Sequence, residues 1–385
     1  MSFLDRVATA FKGSGNNRVP LRHGYNSPWA LAFERNSRRP RLDYAESVRR
    51  GFLTNPIVQR AVRIVAEGVG QMPFVASDAR ATDLLAATSA GQSLIETLGT
   101  NMLLHGNGYV QIIKDGAGQP VELFALRPDR VTLVPDEHGW PAAYDYKVGE
   151  RTIRLPADDE NRWPNIIHIK AMHPIDDHYG AGPLAAAEQA IAIHNAASEW
   201  NRSLLENAAR PSGALVYDAG DGSGLTSDQF ERLKSELTQA FAGHDNAGRP
   251  MLLDGGLKWQ SMALSPADMD FAELKSAAAR DIALAFGVPP MLLGLPGDNT
   301  YSNYREANRA LWRLTLLPLA SKLFAAIEEG LSPWIDELSI TVDLDQIPAL
   351  SEDRERLWKQ VSDAEFLSDN EKRAMLGIAT PEAST

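Results

Sequence analysis

From Asn55-Pro56 the apolar positions fall at helical spacing, with Ile57, Val58, Ala61, Ile64 and Val65 on one face, and the pattern ends near Gly68–Gly70. Residues 1–50 show little apolar period and contain Gly13-Ser-Gly-Asn-Asn17, so mostly irregular chain is expected there. Residues 77–91 read as a short connection. Gln92 to His105 reads as a buried helix with Leu94, Ile95, Leu98, Met102 and Leu103 inward. After His105-Gly-Asn-Gly108 the period becomes that of strands: Tyr109–Ile113, Leu123–Leu126, Val131–Val134, Ala143–Val148, Thr152–Leu155 and Ile166–Ile169. Gly116, Pro120, Pro128, Pro135 and Gly139 separate these runs, as in an antiparallel sheet.

A long Ala-rich helix is predicted over Pro183–Asn207, stopping before Pro211. A small unit follows, with a strand at Ala214–Tyr217, a helix at Thr226–Phe241, and strands near Met251–Leu253 and Trp259–Leu264. Its helix has a capping box, Thr226 with Gln229, and a stripe of Phe230, Leu233, Leu237 and Phe241. Ser265 before Pro266, with Asp268 in the first turn, starts another helix. Leu274, Ala278, Ile282 and Phe286 recur at four-residue spacing, and Gly287 with Pro289-Pro290 ends it. Met291 to Thr300 then forms a loop, apolar at its base and polar at its tip. A second helical pattern runs from about Ser302 to Glu329 and stops at Gly330. An interior proline costs a helix ~3 kcal/mol, so Pro318 is expected to bend it. Beyond lie one strand, Ser339–Leu344, and two short helices, the last framed by Ser368, Glu371 and Gly377. The class is α+β: a mixed body, an inserted α/β unit between two long helices, and a helical C-terminal cap. Two helices joined by an exposed loop make a mechanical layout rather than a catalytic one.

Composition narrows the picture. A chain of 385 residues holds two or three compact units, and 44% apolar with 23% charged residues is a globular balance. Without cysteine it has neither disulfides nor a thiolate zinc site. The start, Met-Ser-Phe-Leu-Asp, lacks a signal-peptide core, and no run approaches the ~20 apolar residues of a membrane span, so a soluble, non-secreted protein with no membrane partner is expected. Charge is uneven. Residues 1–63 hold twelve Arg and Lys against four Asp and Glu, a surplus of eight, so the rest carries −20 of the net −12. Arg35, Arg38, Arg39 and Arg41 are the densest part of this basic arm, which is either a solvated tail or a dock for an acidic partner or nucleic acid. The acidic body argues against tight nonspecific duplex binding, which depends on Lys and Arg neutralising phosphates.

Catalytic signatures are sparse. The P-loop, G-x-S-x-G, H-E-x-x-H and G-x-G-x-x-G patterns do not occur. His168, His173, Asp176, Asp177 and His178 form the densest polar cluster, readable as a metal or acid–base site of a metal-dependent hydrolase, or as a polar strand-to-helix turn shaped by Pro174 and Gly180. The turn is the preferred reading, with no metal and no cofactor. Gly220-Asp-Gly-Ser-Gly224 lacks a lysine and reads as a flexible loop; Pro296 to Tyr301 is either a phosphate nest or an ordinary loop tip. The alanines at 185–187 and 277–279 fit either helix propensity or close helix packing.

The order of motifs resembles the portal proteins of tailed bacteriophages, of the short siphophage type also found in gene transfer agents. The resemblance spans about residues 54–380. It is carried by Asn55-Pro-Ile-Val-Gln-Arg-Ala-Val-Arg-Ile-Val-Ala66, Leu104-His-Gly-Asn-Gly-Tyr-Val110, Leu126-Arg-Pro-Asp-Arg-Val131, Ile167-His-Ile-Lys170, Asp177-His-Tyr-Gly180 and Asn207-Ala-Ala-Arg-Pro-Ser-Gly213. The strongest piece is Ala278 through Phe286-Gly-Val-Pro-Pro-Met-Leu-Leu-Gly294, continuing to Asn299-Thr-Tyr301, Tyr304 and Glu306-Ala-Asn308, with Ser368-Asp-Asn-Glu-Lys-Arg373 and Gly377 at the end.

The resemblance implies a non-enzymatic ring, commonly a dodecamer, at one capsid vertex of a virion or phage-like particle assembled in the bacterial cytoplasm. Such a ring passes double-stranded DNA during packaging and ejection, and contacts the major capsid protein, the terminase large subunit and then head–tail adaptors. Its plan would make residues 1–50 a flexible basic arm, 51–182 the wing, 183–210 the first stem helix and 211–263 the clip. Residues 264–287 become the second stem helix, 288–302 the tunnel loop, 303–350 the long kinked helix with a returning wing strand, and 351–385 a small crown. DNA contact is then expected at Leu292, Leu293, Leu295, Asp298, Asn299, Thr300 and Tyr301, with Lys275 and Arg280 as channel-facing candidates on the stem. A duplex presents one charge per ~1.7 Å, so a strongly basic lining would hold it, and a neutral or acidic loop tip avoids that trap. The alternative is an oligomeric capsid scaffold or adaptor without a DNA channel.

Overall fold

The computed structural model describes residues 44–89, 91–206, 213–217, 257–261, 271–297 and 300–377, with a few positions between 226 and 235. It comprises two compact units: one built from residues up to 186 together with those from 285 onward, the other from residues 187–284.

The first unit opens with α1 (Tyr44–Val48) running into a π-helical turn, Arg49–Leu53. The last residues of the stretch expected to be irregular are therefore helical, and an Arg50–Glu46 pair one turn apart spans them. In α2 (Pro56–Gly70) the Asn55 side chain caps the start, accepting from the amides of Ile57 at 3.0 Å and Val58 at 3.2 Å, with Pro56 in the first turn. Its buried face holds Val58, Ala61, Val62, Val65, Ala66 and Val69, while Ile57 and Ile64 sit at the margin. This face packs on α4 (Leu94–Leu104), whose predicted inward residues are all buried.

Residues 77–91 hold more structure than a connection. After β1 (Phe74–Ala76), Asp78 accepts from the Arg80 amide at 2.7 Å and caps α3 (Ala79–Ala86), which buries Ala81, Leu84 and Leu85. A short hairpin follows, β2 (Thr88–Ser89) with β3 (Gln92–Ser93), so α4 begins two residues later than predicted.

The six predicted strands all form, as β4 (Asn107–Lys114), β5 (Pro120–Leu126), β6 (Val131–Pro135), β7 (Pro141–Val148), β8 (Arg151–Pro156) and β9 (Ile166–Lys170). They make two antiparallel three-stranded sheets, β5-β4-β9 and β6-β7-β8, rather than one. Tyr109, Leu126 and Ile166 from the first sheet meet Val131, Leu133 and Tyr144 from the second in a shared core. Asn107, at the start of β4 and wholly buried, anchors the loop after β9: its Oδ1 accepts from the Gly180 amide at 2.7 Å and its Nδ2 donates to the Gly180 carbonyl at 3.2 Å. Glycine is required at 180, because a Cβ there would lie 2.1 Å from the Gly106 carbonyl oxygen.

Residues 301–331 form one continuous 31-residue helix. It is α-helical over α7 (Tyr301–Leu311), turns once as a π-helix over Trp312–Leu316, and resumes as α8 (Leu317–Leu331). The break therefore lies just ahead of Pro318, not at it. The wide turn, closed by the Leu317 amide on the Trp312 carbonyl, leaves Pro318 at the start of a new α-helical segment, where its missing N–H costs little. By length and composition this helix is apolar enough to cross a bilayer. Its apolar stripe, Ala320, Leu323, Phe324, Ile327 and Leu331, is buried in the first unit, where α8 contacts α4, β9 and β12 (Ile340–Val342). β12 pairs with β1. Two C-terminal helices, α9 (Ser351–Ser362) and α10 (Asp369–Leu376), close the unit, and α10 carries the predicted Ser368–Glu371 capping box and a left-handed Gly377.

The second unit takes in most of α5 (Pro183–Glu206) and nearly all of α6 (Phe271–Ala285), with an antiparallel pair, β10 (Gly213–Tyr217) and β11 (Leu257–Ser261). The Thr226–Gln229 capping pair is present, the Gln229 amide lying 3.4 Å from Thr226 Oγ1. Its stripe of Phe230, Leu233, Leu237 and Phe241, the strand near Met251–Leu253 and the Ser265–Asp268 start signal lie outside the described residues. Along α6, Ala278 and Ile282 are buried as predicted, as is Phe286 just beyond it, but Leu274 is 46% exposed. Ala187, Ala278 and Ala279 are buried where only a small side chain is present, whereas Ala185, Ala186 and Ala277 are exposed and serve helix propensity.

Candidate nucleic-acid channel segment

The segment expected to meet DNA begins where α6 stops. Phe286 is buried and Gly287 takes φ +65°, a left-handed conformation that a side chain resists. The Thr315 hydroxyl, within the π-helical turn, donates to the Gly287 carbonyl at 2.6 Å. A Cβ at Gly287 would come 2.7 Å from Thr315 Oγ1. The exit of α6 is thus clamped to the wide turn, a pairing with no signal in the sequence.

Val288 is buried, and Pro290–Leu293 closes one 3-10 turn, with the Leu292 amide on Pro289 at 2.9 Å and the Leu295 amide on Pro290 at 3.2 Å. Gly294 ends it in left-handed geometry at φ +74°. Leu292, Leu293 and Leu295 are half-buried, and Pro296 and Gly297 exposed. Asp298 and Asn299 lie outside the described residues. Thr300 caps α7, its hydroxyl accepting from the Asn303 amide at 3.2 Å. A Thr followed by a helical pattern is a legible cap. Tyr301 is 78% exposed beneath the Arg305 guanidinium, 5.5 Å from the ring centroid.

Lys275 and Arg280 belong to the other unit; Lys275 is half-buried and Arg280 exposed. Burial holds the His194 imidazole below its ordinary pKa, and the nearby Lys275 charge adds to the effect.

The His/Asp cluster does not converge on a ligand. His168 stacks on Tyr109 with ring centroids 4.3 Å apart, and its Nε2 lies 3.2 Å from Asn107 Oδ1. Burial first, then neighbouring cationic groups, pushes its pKa down to about 3. Asp176 accepts from the amides of His178 at 2.8 Å and Tyr179 at 3.0 Å, and the Ile175 amide reaches His173 Nδ1 at 3.3 Å. Asp176 and His173 thus hold the backbone of the loop that Asn107 anchors. Among the described residues no three His, Cys, Asp or Glu side chains gather around a metal-sized site.

Comparison with known proteins decides the family. A profile described as phage portal protein matches residues 56–377. The chain belongs to the phage portal protein family. An uncharacterized protein of Rickettsia bellii (strain RML369-C) is 40% identical to this portal over 343 residues, 84% of this chain and 86% of the relative. A chain from the neck of a native gene transfer agent particle, reconstructed with C12 symmetry, is 47% identical; the match covers 91% of this portal and 98% of that chain with a TM-score of 0.67. An HK97 family phage portal protein from Corynebacterium diphtheriae shares the fold at 18% identity, with 79% and 97% coverage and a TM-score of 0.58. The portal family is structural rather than enzymatic.

Proposed function

We propose that this portal subunit closes into a ring, twelvefold by analogy, whose channel passes double-stranded DNA during packaging and ejection at one vertex of a phage-like particle. The observation that supports this best is the 47% identity, over 91% of the chain, to a neck chain reconstructed with C12 symmetry. Residues 288–302 are read as the part facing DNA. Leu292, Leu293 and Leu295 form its base and Tyr301 its exposed edge, with Asp298, Asn299 and Thr300 between; none of these is cationic, which suits a surface that a polyanion slides past. Lys275 and Arg280 are the stem charges assigned to phosphate contact. Residues 211–263 are read as the clip that meets the terminase large subunit and later head–tail adaptors, and the body as the surface on the major capsid protein. The ring assembles in the bacterial cytoplasm.

Deleting residues 294–301 tests the assignment. The account expects rings of unchanged size and packaging reduced at least tenfold. Wild-type packaging by the deletion variant removes the role given to this segment.

A further inference from the structure

The first six residues of α7, Tyr301–Glu306, are all exposed, so apolar packing does not hold the start of this helix. Among the described residues it packs on the 3-10 turn Pro290–Leu293 and on a second turn, Pro348–Leu350, that leads into α9. Charge ties it as well. Arg305, Arg309 and Arg313 recur every four residues and so line one face. That face meets the first turn of α9. Arg305 Nη1 lies 2.6 Å from Glu352 Oε1, and Arg309 Nη2 lies 2.8 Å from the other oxygen of the same carboxylate. Arg309 Nε faces Asp353 at 3.5 Å, and Arg356 reaches Asp353 at 2.6 Å. The Arg309 side chain is only 18% exposed, against 48% for Arg305, which marks it as the centre of the cluster.

The cluster is linked at both ends. Arg305 also covers the Tyr301 ring, the exposed edge of the candidate channel segment. α9 is tied in turn by Arg354, which binds Asp345 through two bonds of 2.6 and 3.0 Å and donates to the Leu376 carbonyl at 2.9 Å, the last residue of α10.

We propose that the acidic first turn of α9 is an electrostatic latch on α7, with Arg309 as the positioning residue that sets where Thr300 and Tyr301, at the end of the candidate channel segment, stand. The two C-terminal helices then control that segment through a continuous chain: the Leu376 carbonyl, Arg354, α9, Glu352, Arg305 and Tyr301. Arginine suits 309 because its guanidinium bonds Glu352 at 2.8 Å while its Nε stands 3.5 Å from Asp353, a spread that the single ammonium of lysine does not cover. The consequence for DNA rests on the channel reading above; the latch itself does not.

Hydrogen exchange on the assembled full-length ring tests it. In Glu352→Gln and in Arg309→Gln, protection of the amides of residues 303–308 falls about tenfold, while that of residues 321–327 in α8 stays unchanged. Arg309→Lys gives an intermediate loss. Raising salt to roughly 1 M, where the Debye length is about 3 Å, lowers protection at 303–308 in the wild type and adds little in Glu352→Gln. Unchanged protection at 303–308 in both neutral variants, or a salt-insensitive wild type, overturns the latch. If α8 also loses protection in the variants, the salt response of the wild type alone decides. Lost protection with normal packaging keeps the latch and removes the channel reading.

Discussion

Replacing Gly287 by alanine perturbs the bond that ties the start of the candidate channel segment to the π-helical turn. Two costs are separable. An alanine held at φ +65° is strained by roughly 1–2 kcal/mol. Its Cβ would also stand 2.7 Å from Thr315 Oγ1, closer than real contacts allow, and a tight 3.3 Å from Cγ2. Thr315 is branched at Cβ and cannot rotate freely, so it gives way and its 2.6 Å bond to the Gly287 carbonyl is lost. That bond is worth about 1 kcal/mol, which brings the total to about 2–3 kcal/mol. Thr315→Ala alone costs only the bond, about 1 kcal/mol. In the double variant the clash has no partner and the bond is lost once, so the cost falls short of the sum by about 1 kcal/mol. Urea unfolding, with the same transition compared across the four proteins of the cycle, reads these values. A Gly287→Ala loss below about 0.5 kcal/mol, or an additive double variant, refutes the clamp, since about 0.5 kcal/mol is the scatter between independent sites.

Asn107→Ala removes both bonds to Gly180 and leaves that glycine's amide and carbonyl buried without partners, so a loss of about 3–5 kcal/mol is expected from urea unfolding; a loss under about 1 kcal/mol, the worth of a single bond, contradicts the anchoring role. His168 stays neutral in the fold down to about pH 3, whereas the unfolded chain takes its proton near pH 6.5. Stability from this group is therefore complete above about pH 6.5 and drains as pH falls toward 3, by about 2 kcal/mol at pH 5. His168→Gln should shrink the stability difference between pH 7 and pH 5 by that amount, and an unchanged difference counts against it.

Much of the fold was legible because its signals are local. Asn55 before Pro56, and Ser368 with Glu371, specify helix starts through their own side chains, Gly377 ends a helix in left-handed geometry, and strands β4 to β9 follow from alternation broken by Gly and Pro. The misses have two kinds. Asp78 before Ala79 carried a cap signal, but an eight-residue helix with only Ala81, Leu84 and Leu85 inward shows too little period to stand out. The division into two sheets, the π-helical turn ahead of Pro318 and the exposure of Leu274 depend on partners far away in sequence. The same holds at the site. Thr300 was legible as a cap, whereas the Thr315–Gly287 clamp and the meeting of Arg309 with Glu352 and Asp353 join positions 28 and 43–44 residues apart. The His168–His178 cluster looked chemical because composition cannot show that Asp176 spends its oxygen on two local amides.

Electron-microscope imaging of the purified protein, with native mass spectrometry for the count, tests the ring-channel account most directly. Closed rings of about a dozen copies with a hole wide enough for a duplex are the predicted result. A closed oligomer of a few copies with no central hole contradicts it.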